Sequence, residues 1–575
     1  MRDKKEFYSI LQEMNGREPA ELARLSGDFD FTRYVLQCQR PPEEGGADLG
    51  LMFTVHVPHM IAGFPPSLYK TPIRRTALED FLVRRLAEAA QSLHPFPDVT
   101  GGVQVAAPGQ KLLPRSGIIF TQDYVEAKLD VRMPVRDGLF CAADAVRIFF
   151  DDLPQLVNDA LIYSNLAEAE LNAFVALMED ADAVRQEMSK RGLAAFAAQG
   201  SALVRENGRE GPAARRAPPL TVATDLLTEI PVPNEGSMRG LAVAGGFTLI
   251  MGDDYSGRQE LIAALAAGVY NHIPGDGRER MITVPDAVQI VAEAGRPIQR
   301  VNLSAFLRDA PDADPAEFTR RNATAAESQL ASLVEALQVG AGVILADEST
   351  SCPAFLTADT RALPLQKADK RRLLPLAAYA RKLMDDQGVS FIIGVSPATA
   401  AEFVPLADQV LLIEDYRVTN VTTAARALKL PAGPVTVFEK PATSPSQKAR
   451  WVVPTSIDPS RGRQDEDIVA LDNHRLRFGR SVIDLSGVSQ IAERHQVTTI
   501  GLILYYAKLR YLDEPHTVAE LLDLIDQDLG NEGLECLTRA VRGDLVRPRR
   551  FEIAAALNRL DTLRIAREPP RAARA

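Results

Sequence analysis

The chain is poor in cysteine and has no long apolar run. Four cysteines are spread over 575 residues, with no spacing typical of a metal site or a disulfide framework. Buried thiols in a reducing compartment are therefore expected. No apolar stretch approaches the roughly 20 residues that span a bilayer, and the charged start MRDKKEFYSIL lacks the apolar core of a signal peptide. These absences predict a cytoplasmic protein without a membrane segment, so a transporter would need its membrane part on another chain. The cysteines are Cys38, Cys141, Cys352 and Cys536.

An excess of positive charge is also missing. Lys and Arg total 65 against 76 Asp and Glu, which gives a net charge of −11. The chain as a whole therefore does not attract nucleic acid or anionic membrane, and such contacts would need a local basic patch. The seven histidines suggest no Ser-His-Asp, Cys-His or metal constellation. The length is too great for one hydrophobic core, which predicts three or four domains.

Two segments without periodicity divide the sequence. Residues 205–219, rich in Pro, Gly and Arg, mark one linker, and residues 431–450 mark a second. The divisions predict an N-terminal α+β domain at 1–204, an α/β domain with alternating strands and helices at 220–430, and a C-terminal domain at 451–575. The first predicted helix covers residues 1–30 and ends in a turn at 26–28. The other predicted helices are 76–88, 498–511, 516–528 and 551–560, together with several within 142–195 that include 149–163 and 168–178. The predicted strands are 34–37, 51–57, 117–121, 124–132, 247–251, 342–346, 390–394, 409–413, 468–471 and 481–484.

The segment 247–261, FTLIMGDDYSGRQEL, has the frame of a phosphate-binding loop. An apolar strand runs into a loop that opens with Gly252 and turns at Gly257, and a helix with apolar residues follows. This is the strand–loop–helix context of a Walker A motif. In such a loop the backbone N–H groups and the helix N-terminus attract phosphate. The frame predicts a nucleotide-binding fold.

The residues after the second glycine depart from that motif. Where the motif has Lys and then Ser or Thr, this chain has Arg258, Gln259 and Glu260. Arginine keeps the charge but is bulkier and planar, and Gln259 offers only an amide oxygen for Mg²⁺, which makes it a doubtful metal ligand. Glu260 joins Asp253 and Asp254 in bringing negative charge to the phosphate position, although a carboxylate in a first helical turn is also favourable in itself. Lost ATP binding and binding in an altered mode are both open.

Residues 342–351, GVILADESTS, form a Walker B pattern. Four apolar residues end in Asp347 and Glu348. In that role Asp347 would orient the Mg²⁺ shell and Glu348 would polarise the attacking water. A strand that ends in an acidic turn is the simpler explanation. The position about 90 residues after the phosphate-loop frame favours descent from a nucleotide site.

Longer stretches carry a family resemblance. They read AGFPPSLYKTPIRRTALEDFLVRR (62–85), DALIYSNL (159–166), GVYNHIPGDGRE (268–279), PDAVQIVAEAGR (285–296) and GDLVRPRRFEIAAALNRLDTLRI (543–565). Together they resemble the predicted ATPases of the ABC class, a soluble family distinct from transporter subunits, over nearly the whole chain. The resemblance implies an α/β fold with a P-loop ABC-type ATPase core, an N-terminal α+β domain and a C-terminal mixed domain. It also implies ATP and Mg²⁺ as cofactors and a homodimer, while substrates in the family are poorly defined.

The resemblance carries over to motifs residue by residue. The family's loop ends in Gly-Lys-Ser-Thr, and its signature segment Ser-Gly-Ser-Thr-Ser-Gln corresponds to residues 324–329, TAAESQ. In ABC proteins the signature of one subunit closes on the γ-phosphate held by the other. Ala325 adds a methyl group where close backbone approach is needed, and Glu327 adds negative charge. The candidate nucleotide-contacting residues are Gly252, Tyr255, Ser256, Gly257, Arg258, Gln259, Glu260, Thr324, Ala325, Ser328 and Ser396, with Asp347 as metal ligand and Glu348 as catalytic residue.

Both faces of the expected composite site are therefore altered. Ser396 lies in the switch region without a histidine, and the segment after Cys38 reads PPEEGG in place of an Asp-Pro-Phe stretch. These changes predict a pseudo-ATPase with weak or lost ATP binding that acts as a scaffold or regulator. An active ATPase with a rearranged site, in which Arg258 replaces lysine, is one alternative.

A nucleic-acid binding module on a dimeric ABC core is the other alternative, and it rests on arginine clusters. Such clusters could contact RNA or DNA phosphates. A solvated helix face, or packing onto the acidic body, explains them equally well. The clusters are Arg547, Arg549 and Arg550, with Arg559 and Arg564, and Arg74 and Arg75, with Arg84 and Arg85.

Overall fold

The computed structural model describes most of the chain. The described residues are 1–39, 50–93, 100–206, 211–214, 216–308, 310, 312–358, 373–428, 430 and 449–570. The PPEEGG segment and nearly all of the predicted linker 431–450 lie outside them. The chain divides into two compact units: the first comprises Met1–Glu179 and Glu532–Arg547, and the second comprises Asp180–Asn531 and Pro548–Ala575. The three domains drawn from the sequence stay a prediction, since compact units and sequence domains are different divisions.

A largely antiparallel sheet forms the first unit. Its strand order is β1-β2-β3-β4-β8-β5, and β7 and β9 also pair with β8. The strands of the whole unit are β1 (Arg2–Asp3), β2 (Gly27–Asp30), β3 (Val35–Cys38), β4 (Gly50–Pro58), β5 (Thr100–Gln104), β6 (Lys111–Leu112), β7 (Ile118–Phe120), β8 (Tyr124–Arg136) and β9 (Leu139–Phe140). The helices are α1 (Lys4–Glu13), α2 (His59–Ala62), α3 (Pro72–Ser92), α4 (Ala142–Arg147), α5 (Leu153–Leu161) and α6 (Glu168–Arg191), whose residues from Asp180 onward belong to the second unit.

Aromatic side chains fill the core of this unit. The Phe7 ring lies 4.7 Å from that of Phe29 and 4.9 Å from that of Phe149, and Phe149 lies 4.8 Å from Phe53. These are edge-on or tilted contacts, the arrangement that aromatic quadrupoles favour. The strands contribute alternate residues to the core, because successive side chains of a strand point to opposite faces.

Two helices of the first unit differ from prediction in extent. The helix predicted over most of 1–30 is wrong beyond Glu13, because Gly16 takes a positive φ of 72° and Pro19 cannot donate an N–H. The strand Gly27–Asp30 occupies part of that stretch. The helix predicted at 168–178 continues to Arg191.

A mostly parallel sheet forms the centre of the second unit. Its order is β11-β23-β22-β14-β21-β20-β17; β14 pairs in parallel with β21 and β22, and β20 does so with β17 and β21. Strands covered by helices on both faces are continuous apolar runs, which is why the strand predictions here agree with the structure. This confirms the predicted α/β core.

The second unit also holds a smaller sheet, β12-β13-β10-β16, and a C-terminal hairpin sheet, β25-β26-β27. The strands of the unit are β10 (Leu193–Ala198), β11 (Thr221–Val222), β12 (Leu227–Val232), β13 (Gly236–Ala244), β14 (Phe247–Met251), β15 (Asn271–His272), β16 (Met281–Thr283), β17 (Ala287–Gln289), β18 (Ile298–Val301), β19 (Phe318–Arg320), β20 (Val343–Asp347), β21 (Ser390–Val395), β22 (Gln409–Glu414), β23 (Arg417–Asn420), β24 (Trp451–Val452), β25 (Ile468–Ala470), β26 (Arg475–Phe478), β27 (Ser481–Asp484) and β28 (Ile565–Ala566). Its helices are α7 (Arg258–Ala267), α8 (Ala325–Gln338), α9 (Pro353–Leu356), α10 (Leu376–Gln387), α11 (Pro397–Ala400), α12 (Thr422–Ala427), α13 (Arg494–Arg510), α14 (Val518–Asn531) and α15 (Arg550–Arg559).

The C-terminal helices pack on the hairpin sheet and on α8. Gly501 lets α13 approach the sheet closely, since a Cβ there would clash with Ile468 and lie 3.1 Å from Leu476. Helix α15 packs against both α8 and α13. The C-terminal helices therefore share a core with the helix that begins at the predicted signature segment. Among the described residues, no helix is long and apolar enough to cross a membrane.

Candidate functional site

The phosphate-loop frame is present as predicted. Strand β14 ends at Met251, and α7 begins at Arg258. Gly257 has φ of 99°, and a Cβ there would lie 2.7 Å from the Tyr416 ring, so this turn requires glycine. The Tyr416 N–H donates to the Ser256 carbonyl at 2.8 Å. The turn between β22 and β23 thus holds the loop in place.

The acidic pair lies at the same edge of the sheet. Asp347 ends β20, and β21 lies between β20 and β14. The neighbouring residue on β21 is Gly394, where a Cβ would clash with the Asp347 carboxylate. Because parallel strands end at one edge of a sheet, the loop and the acidic pair face each other.

Arg258 fills the space between the two motifs. Its side chain is 2% exposed, and its Nε lies 3.5 Å from Asp347 Oδ2. Its Nη1 donates to Glu348 Oε2 at 3.3 Å, and its Nη2 lies 3.8 Å from Asp254 Oδ1. The guanidinium therefore lies against the carboxylates that would hold and serve Mg²⁺.

Glu348 is held by hydrogen bonds on both oxygens. Oε2 also accepts from the Ser396 N–H at 2.5 Å, and Oε1 accepts from Thr399 Oγ1 at 2.5 Å. Burial raises the pKa of this carboxyl, but the bonds from Ser396 and Thr399 and the nearby Arg258 outweigh it and leave the pKa lowered. Glu348 is thus ionised and fixed in place. Sequence analysis did not identify Thr399, whose position depends on the turn after β21.

Asp347 has one engaged oxygen and one unengaged oxygen. Oδ1 accepts from the Ser349 N–H at 2.9 Å and from its Oγ at 2.5 Å. Within the described part of the chain, Oδ2 has no hydrogen-bond partner, and neither does Arg258 Nε, 3.5 Å away. Burial raises the pKa of Asp347 despite these neighbours. Ser349 was likewise not identified from the sequence.

An open cavity of about 500 Å³ adjoins the loop. Its lining holds the carboxylates of Asp254, Glu260 and Glu348 against the single guanidinium of Arg258. The Tyr255 side chain is 92% exposed at the tip of the loop, where φ is 65°. The cavity therefore presents more negative than positive charge to an incoming phosphate.

The residues present do not fit a Mg²⁺–ATP site of the ordinary kind. No hydroxyl follows Gly257, and the Gln259 amide donates to Asp254 Oδ1 at 3.2 Å. Searched over the described residues, no group of three or more His, Cys, Asp or Glu side chains could hold a metal ion. A cation at Asp347 would have to displace Arg258. The chain's own guanidinium occupies the position that the metal needs.

Residues of the predicted signature segment make contacts within this chain. Thr324 caps α8 in a capping box with Glu327: the Thr324 N–H donates to Glu327 Oε2 at 2.9 Å, and the Glu327 N–H donates to Thr324 Oγ1 at 3.3 Å. Ala325 is the first residue of the helix. Ser328 is fully buried, and its Oγ accepts from Arg296 Nε at 2.9 Å. None of these residues lines the cavity beside the loop. A composite site would need a second chain, and that stays a prediction.

The C-terminal arginines make internal contacts. Arg549 is 12% exposed, pairs with Glu552 at 2.6 Å and donates to the carbonyls of Pro285 and Ala287. Arg550 pairs with Asp523 at 2.6 Å, Arg559 pairs with Glu293 at 2.9 Å, and Arg564 donates to Thr455. The Arg547 N–H donates to the Pro114 carbonyl.

The N-terminal arginines show a similar pattern. Arg74 pairs with Glu179 at 2.6 Å, Arg84 with Asp80 at 2.7 Å, and Arg85 with Glu88 at 2.9 Å. Arg75 is exposed. For both clusters the contacts favour packing over a free basic surface.

Family models cover most of the chain. The ABC ATPase P-loop domain matches residues 167–446, the N-terminal domain of ATPases of the ABC class matches residues 4–164, and the MRB1590 C-terminal domain matches residues 468–566. No curated protein matches the chain. A solved structure described as an inward-facing conformation of a metal-chelate type ABC transporter is 13% identical, covers 32% of this chain and 75% of its own, and has a TM-score of 0.22. That likeness is too weak to support an argument.

The family matches and the structure agree. The phosphate-loop frame and the acidic pair both lie inside the segment matched by the P-loop domain. The first two matches together confirm the resemblance seen in the sequence. The chain belongs to the family of ATPases of the ABC class.

Proposed function

We propose that this chain is a pseudo-ATPase of the ABC class, with weak or lost ATP binding, that acts as a scaffold or regulator. One observation carries the proposal: the buried Arg258 guanidinium lies 3.5 Å from Asp347 and 3.3 Å from Glu348. Its single positive charge offsets part of the negative charge of the acidic pair. The Arg258 side chain would then hold the phosphate-loop frame and the acidic pair together.

Electrostatics support weak nucleotide binding. Withdrawing Arg258 would leave Asp347 buried without its cation, which costs about 1–3 kcal/mol because burial already raises the pKa of Asp347 and lets it take up a proton. An incoming triphosphate would also face Asp254 and Glu260 on the cavity wall. Like charges in a partly desolvated site repel more strongly than in water. ATP would therefore have to offset both terms.

The active-ATPase alternative has one observation in its favour. The cavity of about 500 Å³ is roomy, and Arg258 could supply the charge of the missing lysine. It would require Arg258 to leave both carboxylates and Glu348 to leave Ser396 and Thr399. The contacts of the arginine clusters favour packing, so we do not extend the proposal to nucleic acid.

Phosphate release tests the proposal. Wild type and Glu348→Gln, each shown to be folded by circular dichroism, are incubated with Mg²⁺ and ATP. We expect the same background rate from both, because Ser396, Thr399 and Arg258 already engage the Glu348 carboxylate. Mg²⁺-dependent turnover that Glu348→Gln abolishes would rule the pseudo-ATPase out.

A scaffold role also predicts how the chain assembles. We propose a homodimer that does not depend on nucleotide, because the loop and the signature helix are already held by internal contacts. Light scattering with and without Mg²⁺ and ATP measures this directly. A dimer that forms only with ATP would contradict the proposal.

The four free thiols fit the reducing cytoplasm, where we place the protein.

A further inference from the structure

A second cavity lies within the second unit, away from the phosphate loop. It measures about 50 Å³ and is bounded by the end of β17, by α8, by the turn at 487–490 and by α15. Its walls include apolar side chains such as Val288, Val339 and Val488. At roughly 10–15 Å³ for each buried water, the cavity holds about four water molecules.

Asn558 lines this cavity with unused hydrogen-bonding groups. The residue is 1% exposed. Counting every described residue, neither its amide nitrogen nor its carbonyl oxygen has a hydrogen-bond partner. The neighbouring Arg559 Nε also has none among the described residues. Buried polar groups in proteins are nearly always hydrogen-bonded, so a donor and an acceptor left together point to a partner outside the described residues.

The other polar groups at the cavity already have partners. The Gln490 side chain accepts from the Gln289 N–H at 3.1 Å and donates to the Ala266 carbonyl at 2.9 Å. Glu335 pairs with Arg296 at 2.9 Å. The charged groups of the lining are paired within the chain, Glu552 with Arg549 and Arg559 with Glu293 as well as Glu335, so a charged ligand would find no free counter-charge. A neutral ligand fits.

We propose that this cavity binds a small, planar, neutral molecule that presents a hydrogen-bond donor and an acceptor side by side, held by two hydrogen bonds to the Asn558 amide. The lining is mixed, and its apolar side chains favour a flat ring over a sugar or a chain of hydroxyls, since the polar groups beside them other than Asn558 and Arg559 Nε already have partners. Four waters correspond to about 120 Å³ of liquid, which is room for a single small ring system. This inference does not depend on the state of the nucleotide site.

Two sources share this chemistry. A primary carboxamide carries its donor and acceptor on one group, and a nucleobase carries them on its edge, which is the pairing that asparagine makes with adenine. Nicotinamide and adenine are therefore the two probes. Each is neutral and planar. Nicotinamide presents its donor and acceptor on one carboxamide group, and adenine presents them on its ring edge.

The experiment is a calorimetric or saturation-transfer NMR titration of the full chain with each probe. Wild type is compared with Asn558→Leu, which keeps the side-chain volume and removes both polar groups. Ala555→Leu fills the cavity from another position on α15 and leaves Asn558 in place. Asn531→Leu, at the exposed end of α14, is the matched surface control.

We expect one probe to bind wild type and Asn531→Leu equally, and to bind Asn558→Leu and Ala555→Leu about tenfold more weakly or worse, as the loss of a hydrogen bond or of space predicts. The probe that binds identifies the source. Equal binding to Asn558→Leu and wild type would overturn the proposal. So would an absence of binding to folded wild type, in which case the cavity holds ordered water alone.

Discussion

Two arginines of the second unit, Arg296 and Arg258, each lie beside several acidic side chains, and their surroundings differ. Arg296 donates to Ser328 Oγ at 2.9 Å and to both oxygens of Glu335. Arg258 lies 3.3 Å from Glu348, beside an open cavity of about 500 Å³, and its Nε has no hydrogen-bond partner in the part of the chain that the structure describes. Both side chains are nearly fully buried.

Under the pseudo-ATPase proposal, the difference separates a structural centre from an altered nucleotide site. At Arg296 all three guanidinium nitrogens have hydrogen-bond partners, so the cluster stabilises the helix that begins at the signature segment. At Arg258 the geometry is looser, because the frame around it resembles one that serves phosphate and a metal in this family. A buried polar group that is only partly matched calls for an explanation, and the pseudo-ATPase proposal supplies one for Arg258.

Removal of Arg296 has the largest expected effect. Arg296→Met leaves Glu335 without its arginine partner and leaves Glu293 with Arg559, and breaking a buried ion pair costs about 3–5 kcal/mol of unfolding free energy. Urea denaturation measures the change. The control is Arg191→Met, which removes a helix-surface pair with Glu187 worth about 0.3–0.5 kcal/mol. Equal losses of unfolding free energy from Arg296→Met and Arg191→Met would contradict a structural role for Arg296.

Removal of Arg258 has a smaller expected effect. Arg258→Met removes contacts of 3.3–3.8 Å, one of them with an exposed aspartate, and Asp347 can take up a proton because burial already raises its pKa. We expect a loss of about 1–3 kcal/mol in the same denaturation assay, the cost of a buried polar group left without its partner. A loss as large as that of Arg296→Met would show that the loop is as tightly matched as the signature helix.

Thr324→Ala tests whether the signature start acts as a helix cap. The change removes the side-chain acceptor of the capping box on α8. Loss of such a cap costs about 0.5–2 kcal/mol. We expect a value near 1 kcal/mol from thermal or urea unfolding, with Thr324→Ser nearly neutral because serine caps equally well. A destabilising serine variant would speak against capping.

The pH dependence of the acidic pair has the smallest expected effect. The pKa of Glu348 is lowered below its usual 4.5, so its stabilising contribution is present above that pH and is lost as the pH falls. The pKa of Asp347 is raised above 3.8, so its contribution is present at low pH and is lost as the pH rises through the folded value. In unfolding assays between about pH 3 and 6, Glu348→Gln should flatten the acid loss, and Asp347→Asn should steepen it. The same slope for both would contradict the opposite shifts.

Much of the second unit could be predicted from the sequence. Strands such as Phe247–Met251 and Ser481–Asp484 are apolar or alternating runs bounded by turns, and they occur at or near the predicted positions. Strand Leu193–Ala198 was missed, because its sequence LAAFAA favours helix as much as strand. The strand order was not predictable either, since it depends on contacts between residues far apart in the sequence.

The candidate site was predictable only in part. The glycines and the acidic pair have a recognisable spacing, and the parallel sheet brings them to one edge. The direction of the Arg258 side chain depends on its contacts with Asp254, Asp347 and Glu348, which no local pattern records. Thr399 and Asn558 were invisible for the same reason: a common residue type acquires its role from surroundings that only the fold creates.

Mg²⁺–ATP calorimetry tests the central claim most directly. The titration compares wild type, Arg258→Ala, and a variant in which Arg258→Lys, Gln259→Ser and Glu260→Thr restore the family's loop. We predict no measurable binding to wild type at millimolar ATP and binding to the restored variant, because lysine and serine free the acidic pair for the metal. Binding to wild type that Arg258→Ala abolishes would contradict the account, since it would show Arg258 holding phosphate rather than the two carboxylates.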